Sequence, residues 1–218
     1  MRGRCKDARL TELSVTKPAG IERIGSVERT TAETDIRVKV ALDGTGVAEI
    51  ATGVGALDHF LTLWSRHGLF DLTVTARGDL HIDGHHTVED VGLCMGQALG
   101  KALGERRGIV RAASCIMPMD EALATVAVDC SGRGYFVLTG AFSQPVVGTL
   151  ETDLVRHFLH SLAVEARMNL HVLLHYGQNA HHEVEAIFKG FARALDAATR
   201  IDPRLGNAVP STKGRIET

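Results

Sequence analysis

No stretch of this 218-residue chain is apolar over a membrane-spanning length, and no Cys-x-x-Cys pair occurs in it. The first absence excludes a hydrophobic spanning helix. The second, with Cys5, Cys94, Cys115 and Cys130 scattered far apart, argues against a zinc ribbon or a disulfide framework, so the thiols are expected to be reduced. An excess of positive charge is also missing. The formal net charge of -2 excludes the broad basic face that nucleic acids or anionic membranes require, so any anion site must be a local cluster of Arg and Lys. The first twenty residues, MRGRCKDARLTELSVTKPAG, carry basic residues without the apolar segment of a signal peptide, which makes the cytoplasm the expected location. With 44% apolar and 23% charged residues, the composition is that of an ordinary globular protein.

What the chain does have is written twice. HHTVED, residues 85–90, returns as HHEVEA at 181–186, and the identities continue through Ala98/Ala194, Leu99/Leu195 and Ala102/Ala198. Upstream, His59-Phe60-Leu61 matches His157-Phe158-Leu159. Further back, IRVKVALDGTG resembles LATVAVDCSGRG, a register that sets Glu33 opposite Glu121. Each half reads as an alternating strand, a glycine-marked turn, a returning strand expected to close a hairpin, a helix, a further strand, and a long helix opened by the doubled motif. The expectation is an α+β fold built by internal duplication of two β-β-α-β-α half-domains, helices packed together and covered by sheets. Residues 1–19 read as an N-terminal extension, 20–110 and 111–206 as the two half-repeats, and 207–218 as a tail carrying STKG.

On a helix, positions i and i+4 share a face, so His85 with Glu89, and His181 with Glu185, each form a two-ligand clamp for a divalent ion. Adjacent positions lie about 100° apart, so His86 and His182 cannot complete the clamp beside them. The simplest exchange is that each joins the clamp of the other half, with His59 and His157 supplying the remaining ligands. Histidine and carboxylate ligation without thiolate suits Mn, Fe or Zn. His67, His81, His160, His171 and His175 read as surface or packing residues, His67 being close enough in sequence to His59 to line a pocket. Arg133 stands in the turn CSGRG, where backbone can approach an anion; Lys189 follows His181 by about two turns of the same helix; Lys213 lies in the tail.

At HHTVED, HHEVEAIFKGFARAL, LDHFLTLWSRHGLFD, DGTG, MDEAL and PSTKG, the chain resembles the imidazoleglycerol-phosphate dehydratases, lyases of histidine biosynthesis, over residues 21–215. The resemblance implies metal-dependent conversion of D-erythro-imidazole-glycerol phosphate to imidazole-acetol phosphate and water, through an imidazolate held between metals. It implies two divalent ions per active site, usually Mn2+. One would take His59, His86, His181 and Glu185, the other His85, Glu89, His157 and His182. Glu33 and Glu185 are implied as proton-transfer groups, Glu33 lying near the substrate carbons. Arg111, Arg133, Lys189, Ser211, Thr212 and Lys213 are implied as substrate-binding residues. The partners implied are the small phosphorylated imidazole substrate and further copies of the chain, as trimers assembled into a shell of twenty-four subunits with active sites between them; neither nucleic acid nor membrane is a partner. The role of Glu121 stays open between the site and a structural end of an element. Two other readings compete: a dinuclear metallohydrolase, against which the lack of an HxH or HExxH signature counts, and a non-enzymatic metal-binding shell.

Overall fold

A computed structural model describes residues 23–216. The extension expected over residues 1–19, and Cys5 within it, lie outside the described residues. The first half runs β1 (Ile24–Thr30), β2 (Thr34–Ala41), β3 (Ala48–Ala51), α1 (Gly55–Gly68), β4 (Asp71–Gly78) and α2 (His85–Leu103). The second runs β5 (Ala112–Met119), β6 (Ala122–Asp129), β7 (Tyr135–Thr139), a small hairpin of β8 (Val146–Val147) and β9 (Leu150–Glu151), then α3 (Thr152–Glu165), β10 (Asn169–Tyr176) and α4 (Ala180–Thr199). The duplicated α+β architecture is as expected, with one more strand at the start of each half.

The expected hairpin at the glycine turn is corrected. The strand orders are β1-β2-β4-β3 and β5-β6-β10-β7, so the returning strand of each half pairs in parallel with the later strand, not with its predecessor. Asp71 explains the path in the first half: its carboxylate accepts from the N–H groups of Thr45 at 2.8 Å and Val47 at 3.0 Å, carrying the chain past β4. The true hairpins are β1-β2 and β5-β6, and their tips hold Glu33 and Glu121.

Strand alternation buries one face of each sheet: Ile36, Val38 and Val40 on β2, and Ala124, Val126 and Val128 on β6. Helix α2 covers β1 and β2, helix α4 covers β5 and β6, and the helices pack across the halves as α2 on α3 and α1 on α4. Trp64, Phe60, Phe158, Phe188 and Phe191 are all buried in a core shared by both halves, with Phe188 stacked on both Phe60 and Phe158. Two glycines set the approach of α3 to α2. A Cβ at Gly92 would lie 2.9 Å from the Phe158 carbonyl oxygen, and one at Gly96 2.6 Å from that of Leu162. That closeness brings His157 of α3 to the start of α2.

A polar anchor in one half has an apolar counterpart in the other. Asp90 on α2, 8% exposed, accepts from Arg29 of β1 and Thr34 of β2. The repeat-equivalent positions are Ala186, Met117 and Ala122. The fold thus accepts either solution, and buried ion pairs commonly give little net stability over packed hydrophobes. We expect Asp90→Ala alone to cost about 2–3 kcal/mol, because Arg29 and Thr34 lose their acceptor. The triple variant Arg29→Met, Thr34→Ala, Asp90→Ala should stay within about 1 kcal/mol of the parent in urea unfolding at matched concentration. A triple as unstable as the single would show that the ion pair carries net stability.

The thiols of Cys94, Cys115 and Cys130 are free. Burial pushes Cys94 up to about 11 and Cys130 up to about 12, so both stay protonated at neutral pH. Among the described residues no helix is long and apolar enough to cross a membrane.

Candidate active site

Both motif helices begin in the same way. The Asp83 carboxylate accepts from the backbone N–H of His85 at 2.8 Å, and Asn179 caps α4 by accepting from that of His181 at 2.9 Å. The first histidine of each pair is thereby fixed on the face that carries the glutamate one turn later.

Two clusters result, each drawn from both halves. His59 of α1 meets His181 and Glu185 of α4, while His157 of α3 meets His85 and Glu89 of α2; in each group the ligating atoms lie within 4.8 Å of one another. The paired imidazoles of each cluster have ring centroids 5.1 Å apart. Nε2 of His181 is 3.4 Å from Glu185, and Glu89 lies 3.8 Å from Nε2 of His85 and 3.1 Å from Nε2 of His157. The last contact bears on whether a cation fits. Nε2 of His157 is shielded from solvent and faces a carboxylate oxygen, yet has no hydrogen-bond partner. A shielded imidazole nitrogen and a carboxylate oxygen converging in this way suit a shared divalent ion, and the all-N/O donor set suits Mn, Fe or Zn.

Of the sequence-derived ligands, the structure brings together His59, His181 and Glu185, and His85, Glu89 and His157. It does not bring His86 or His182 to either cluster within the chain, so the exchange between halves is carried by His59 and His157 instead. The reason is the helical angle: the second histidine of each pair turns toward the hairpin tip of its own half. There Nδ1 of His86 is 2.9 Å from Asp79 and 4.0 Å from Glu33, and Nδ1 of His182 is 2.8 Å from Glu121. These hydrogen bonds raise both histidines and hold Asp79 and Glu121 below the usual carboxylate range. Burial works against the charge on Glu185, but the neighbouring Lys189 ammonium outweighs it and the carboxyl is lowered. Lys189 binds Glu185 and lies 3.3 Å from the Met119 sulfur. His67 sits beside this group: burial first, then Lys189 and Arg193, lower its pKa.

The basic residues form a separate place. Arg111, Ser131, Arg133, Ser211, Thr212, Lys213 and Arg215 line a cleft of about 270 Å3. The tail reaches it because Gly108 donates to the Ala208 carbonyl at 2.9 Å and the Arg111 guanidinium donates to that of Pro210 at 2.8 Å. Arg111 also grips Asp129 at 2.7 and 3.1 Å, so it fastens tail to sheet, and Arg133 and Lys213 are the cations with no such clamp described. Lys189 is not in this cleft. The backbone N–H of Arg111 bonds Ala198 near the end of α4, whereas His181 begins that helix, about 25 Å away at the helical rise. Sequence reasoning missed Ser131 and Arg215 here, and Asp79 at the clusters; the tail pattern STKGR offered a signal for Arg215, and none marked Asp79.

Fold and site together define the class: a duplicated α+β protein whose long helices open on His/Glu clusters shared between the repeats. The comparisons then narrow it. The family described as imidazoleglycerol-phosphate dehydratase matches residues 52–195. Imidazoleglycerol-phosphate dehydratase of Chloroflexus aurantiacus is 59% identical over 192 residues, covering 88% of this chain and 94% of its own, and that of a Geobacillus species is 55% identical over 194 residues, covering 89% and 99%. Among solved structures, the Staphylococcus aureus dehydratase superposes with a TM-score of 0.75 at 38% identity, covering 82% of this chain and 99% of its own, and the Pyrococcus furiosus protein with 0.75 at 37%, covering 87% and 100%. The chain belongs to the imidazoleglycerol-phosphate dehydratase family, hydro-lyases of histidine biosynthesis.

Proposed function

We propose that the chain dehydrates D-erythro-imidazole-glycerol phosphate to imidazole-acetol phosphate in the cytoplasm, and that turnover depends on two divalent ions per active site, Mn2+ being the expected metal. The observation that carries the metal reading is the pair of clusters, each holding two histidines and a glutamate with a shielded or buried donor facing inward. His59, His181 and Glu185 would hold one ion, and His85, Glu89 and His157 the other, with His86 and His182 completing them. Divalent ions there supply Lewis-acid stabilisation of negative charge on the substrate's imidazole.

The chain's own groups do the rest. Glu33, at the β1-β2 tip 4.0 Å from His86, is placed to move a proton at the substrate carbons. Arg133, Lys213, Ser211 and Thr212 bind the phosphate, with Arg111 holding the cleft in shape. A separation of about 25 Å between cleft and cluster along α4 is too great for one small substrate to bridge within a chain. We therefore read the site as shared between copies, in keeping with the trimers and twenty-four-subunit shell that the family resemblance implies. His86 and His182, turned outward from their own clusters, fit the same arrangement.

The test is direct: strip the purified protein with chelator, restore Mn2+, and follow imidazole-acetol phosphate from imidazole-glycerol phosphate, with sedimentation in parallel. Turnover and a large particle in the metal-loaded protein support the proposal; a loaded protein that makes no product overturns it. The relatives and solved structures named above are dehydratases, which favours this reading over the hydrolase and storage readings.

The cleft gives a separate expectation. Lys213→Ala should raise KM by about tenfold to a hundredfold, since a charge-assisted hydrogen bond is worth about 1.5–3 kcal/mol. Inorganic phosphate is expected to compete with substrate in the parent, and its inhibition should weaken in proportion in the variant. An unchanged phosphate inhibition constant would remove the cleft from the substrate site.

A further inference from the structure

The two halves hold their second histidines with carboxylates from different places. In the second half Glu121, at the hairpin tip, meets Nδ1 of His182 at 2.8 Å. Its repeat partner Glu33 stays 4.0 Å from His86, and Asp79, the residue directly after β4, meets that Nδ1 at 2.9 Å instead. The residue directly after β10 is Gly177, where a Cβ would fall 2.4 Å from the Glu183 side chain and 2.5 Å from its carboxylate oxygen. Glu183 is itself committed, accepting from the Ser143 backbone at 2.9 Å and so pinning the segment before the β8-β9 hairpin. A carboxylate in the place of Asp79 is therefore closed to the second half. Asp79 also pays a cost that a merely structural aspartate would avoid: its Oδ1 is shielded from solvent and without a partner, leaving the bond to His86 as its one side-chain contact of that kind.

We infer that Asp79 and Glu121 are positioning residues, fixing His86 and His182 with Nδ1–H toward the carboxylate and Nε2 presented as the metal-binding atom, and that Asp79 thereby releases Glu33 for proton transfer. The inference rests on the metal reading proposed above. A carboxylate behind a metal-bound histidine sets its tautomer and ring orientation, and its loss costs about 10–100-fold in metal affinity. Repeat-equivalent Glu33 and Glu121 would then have different duties, one at the substrate and one behind a ligand.

The experiment is Mn2+ titration of chelator-stripped full-length protein, reading free Mn2+ by electron paramagnetic resonance, for the parent and for Asp79→Ala, Asp79→Asn, Glu121→Ala and Glu33→Gln. Circular dichroism of each metal-free protein reports folding. The parent should take two ions per chain. Asp79→Ala and Glu121→Ala should each weaken one of the two by about 10–100-fold while remaining folded. Asp79→Asn, which keeps an acceptor, should fall between Asp79→Ala and the parent. Glu33→Gln should bind both ions as the parent does. Parental affinities in Asp79→Ala or Glu121→Ala overturn the inference while leaving the metal reading intact, as does loss of an ion in Glu33→Gln. A parent that takes no Mn2+ overturns the metal reading and this inference with it.

Discussion

Replacing Glu89 with alanine is expected to lower turnover by at least about a thousandfold, the larger end of what loss of a key electrostatic group costs an enzyme. Glu89 lies between two imidazoles, 3.8 Å from His85 and 3.1 Å from His157, so its removal takes away the cluster's only anion and the group that joins α2 to α3 there. Glu185→Ala should be equally damaging to turnover but should behave differently toward unfolding. Glu185 is also bound by Lys189, which is only 15% exposed, whereas the position equivalent to Lys189 in the first half is Leu93. Removing Glu185 leaves a mostly covered ammonium without its counter-ion, so the metal-free protein should lose about 1–3 kcal/mol. Removing Glu89 strands no such ammonium and should cost the metal-free protein less. Turnover assays with added Mn2+, paired with urea unfolding in chelator, separate the two effects. A Glu89→Ala protein that keeps a tenth of parental turnover would contradict the assignment of that cluster to the active site.

Repeats were the most legible feature because duplication preserves spacing even where identity is lost. The offset linking β2 to β6 holds from Thr34/Ala122 to Ala41/Asp129, and that linking β4 to β10 from Asp71/Asn169 to Gly78/Tyr176. Between them the offset jumps from 88 to 98, and the structure accounts for nine of the ten residues: the second half carries a twelve-residue segment with the β8-β9 hairpin where the first has three residues between β3 and α1. Strand partners were less legible. A glycine turn between two strand-like segments looks alike whether the chain folds back or crosses over, and in the first half it is Asp71, 26 residues beyond Thr45 and 24 beyond Val47, that gathers the turn's N–H groups. The clusters were half legible. Helical spacing gave His85 with Glu89 and His181 with Glu185, but which third ligand joins them depends on α1 packing on α4 and α3 on α2, a tertiary fact. Asp79 was invisible because nothing local marks a carboxylate that acts on a residue seven positions later across a loop.

Glu33→Gln is expected to lower kcat by about 100- to 10,000-fold, the range for loss of a general acid or base, with little change in KM. The substitution keeps size and hydrogen-bonding reach and removes the ability to take a proton. Its backbone is fixed independently of the carboxyl group, since its N–H donates to the Thr31 hydroxyl at 3.1 Å, and the side chain is 57% exposed, so folding has little stake in the charge. The contrast with Glu121→Gln gives the result its meaning. Glu121 shares the hairpin-tip position by descent but spends its carboxylate on His182. A defect there should be recovered in part by raising Mn2+, whereas no concentration of metal should restore Glu33→Gln. If added Mn2+ rescues Glu33→Gln as well, the carboxylate at that tip serves the ligand histidine and not the substrate, and the proton must be moved by Glu185 or another group of the cluster.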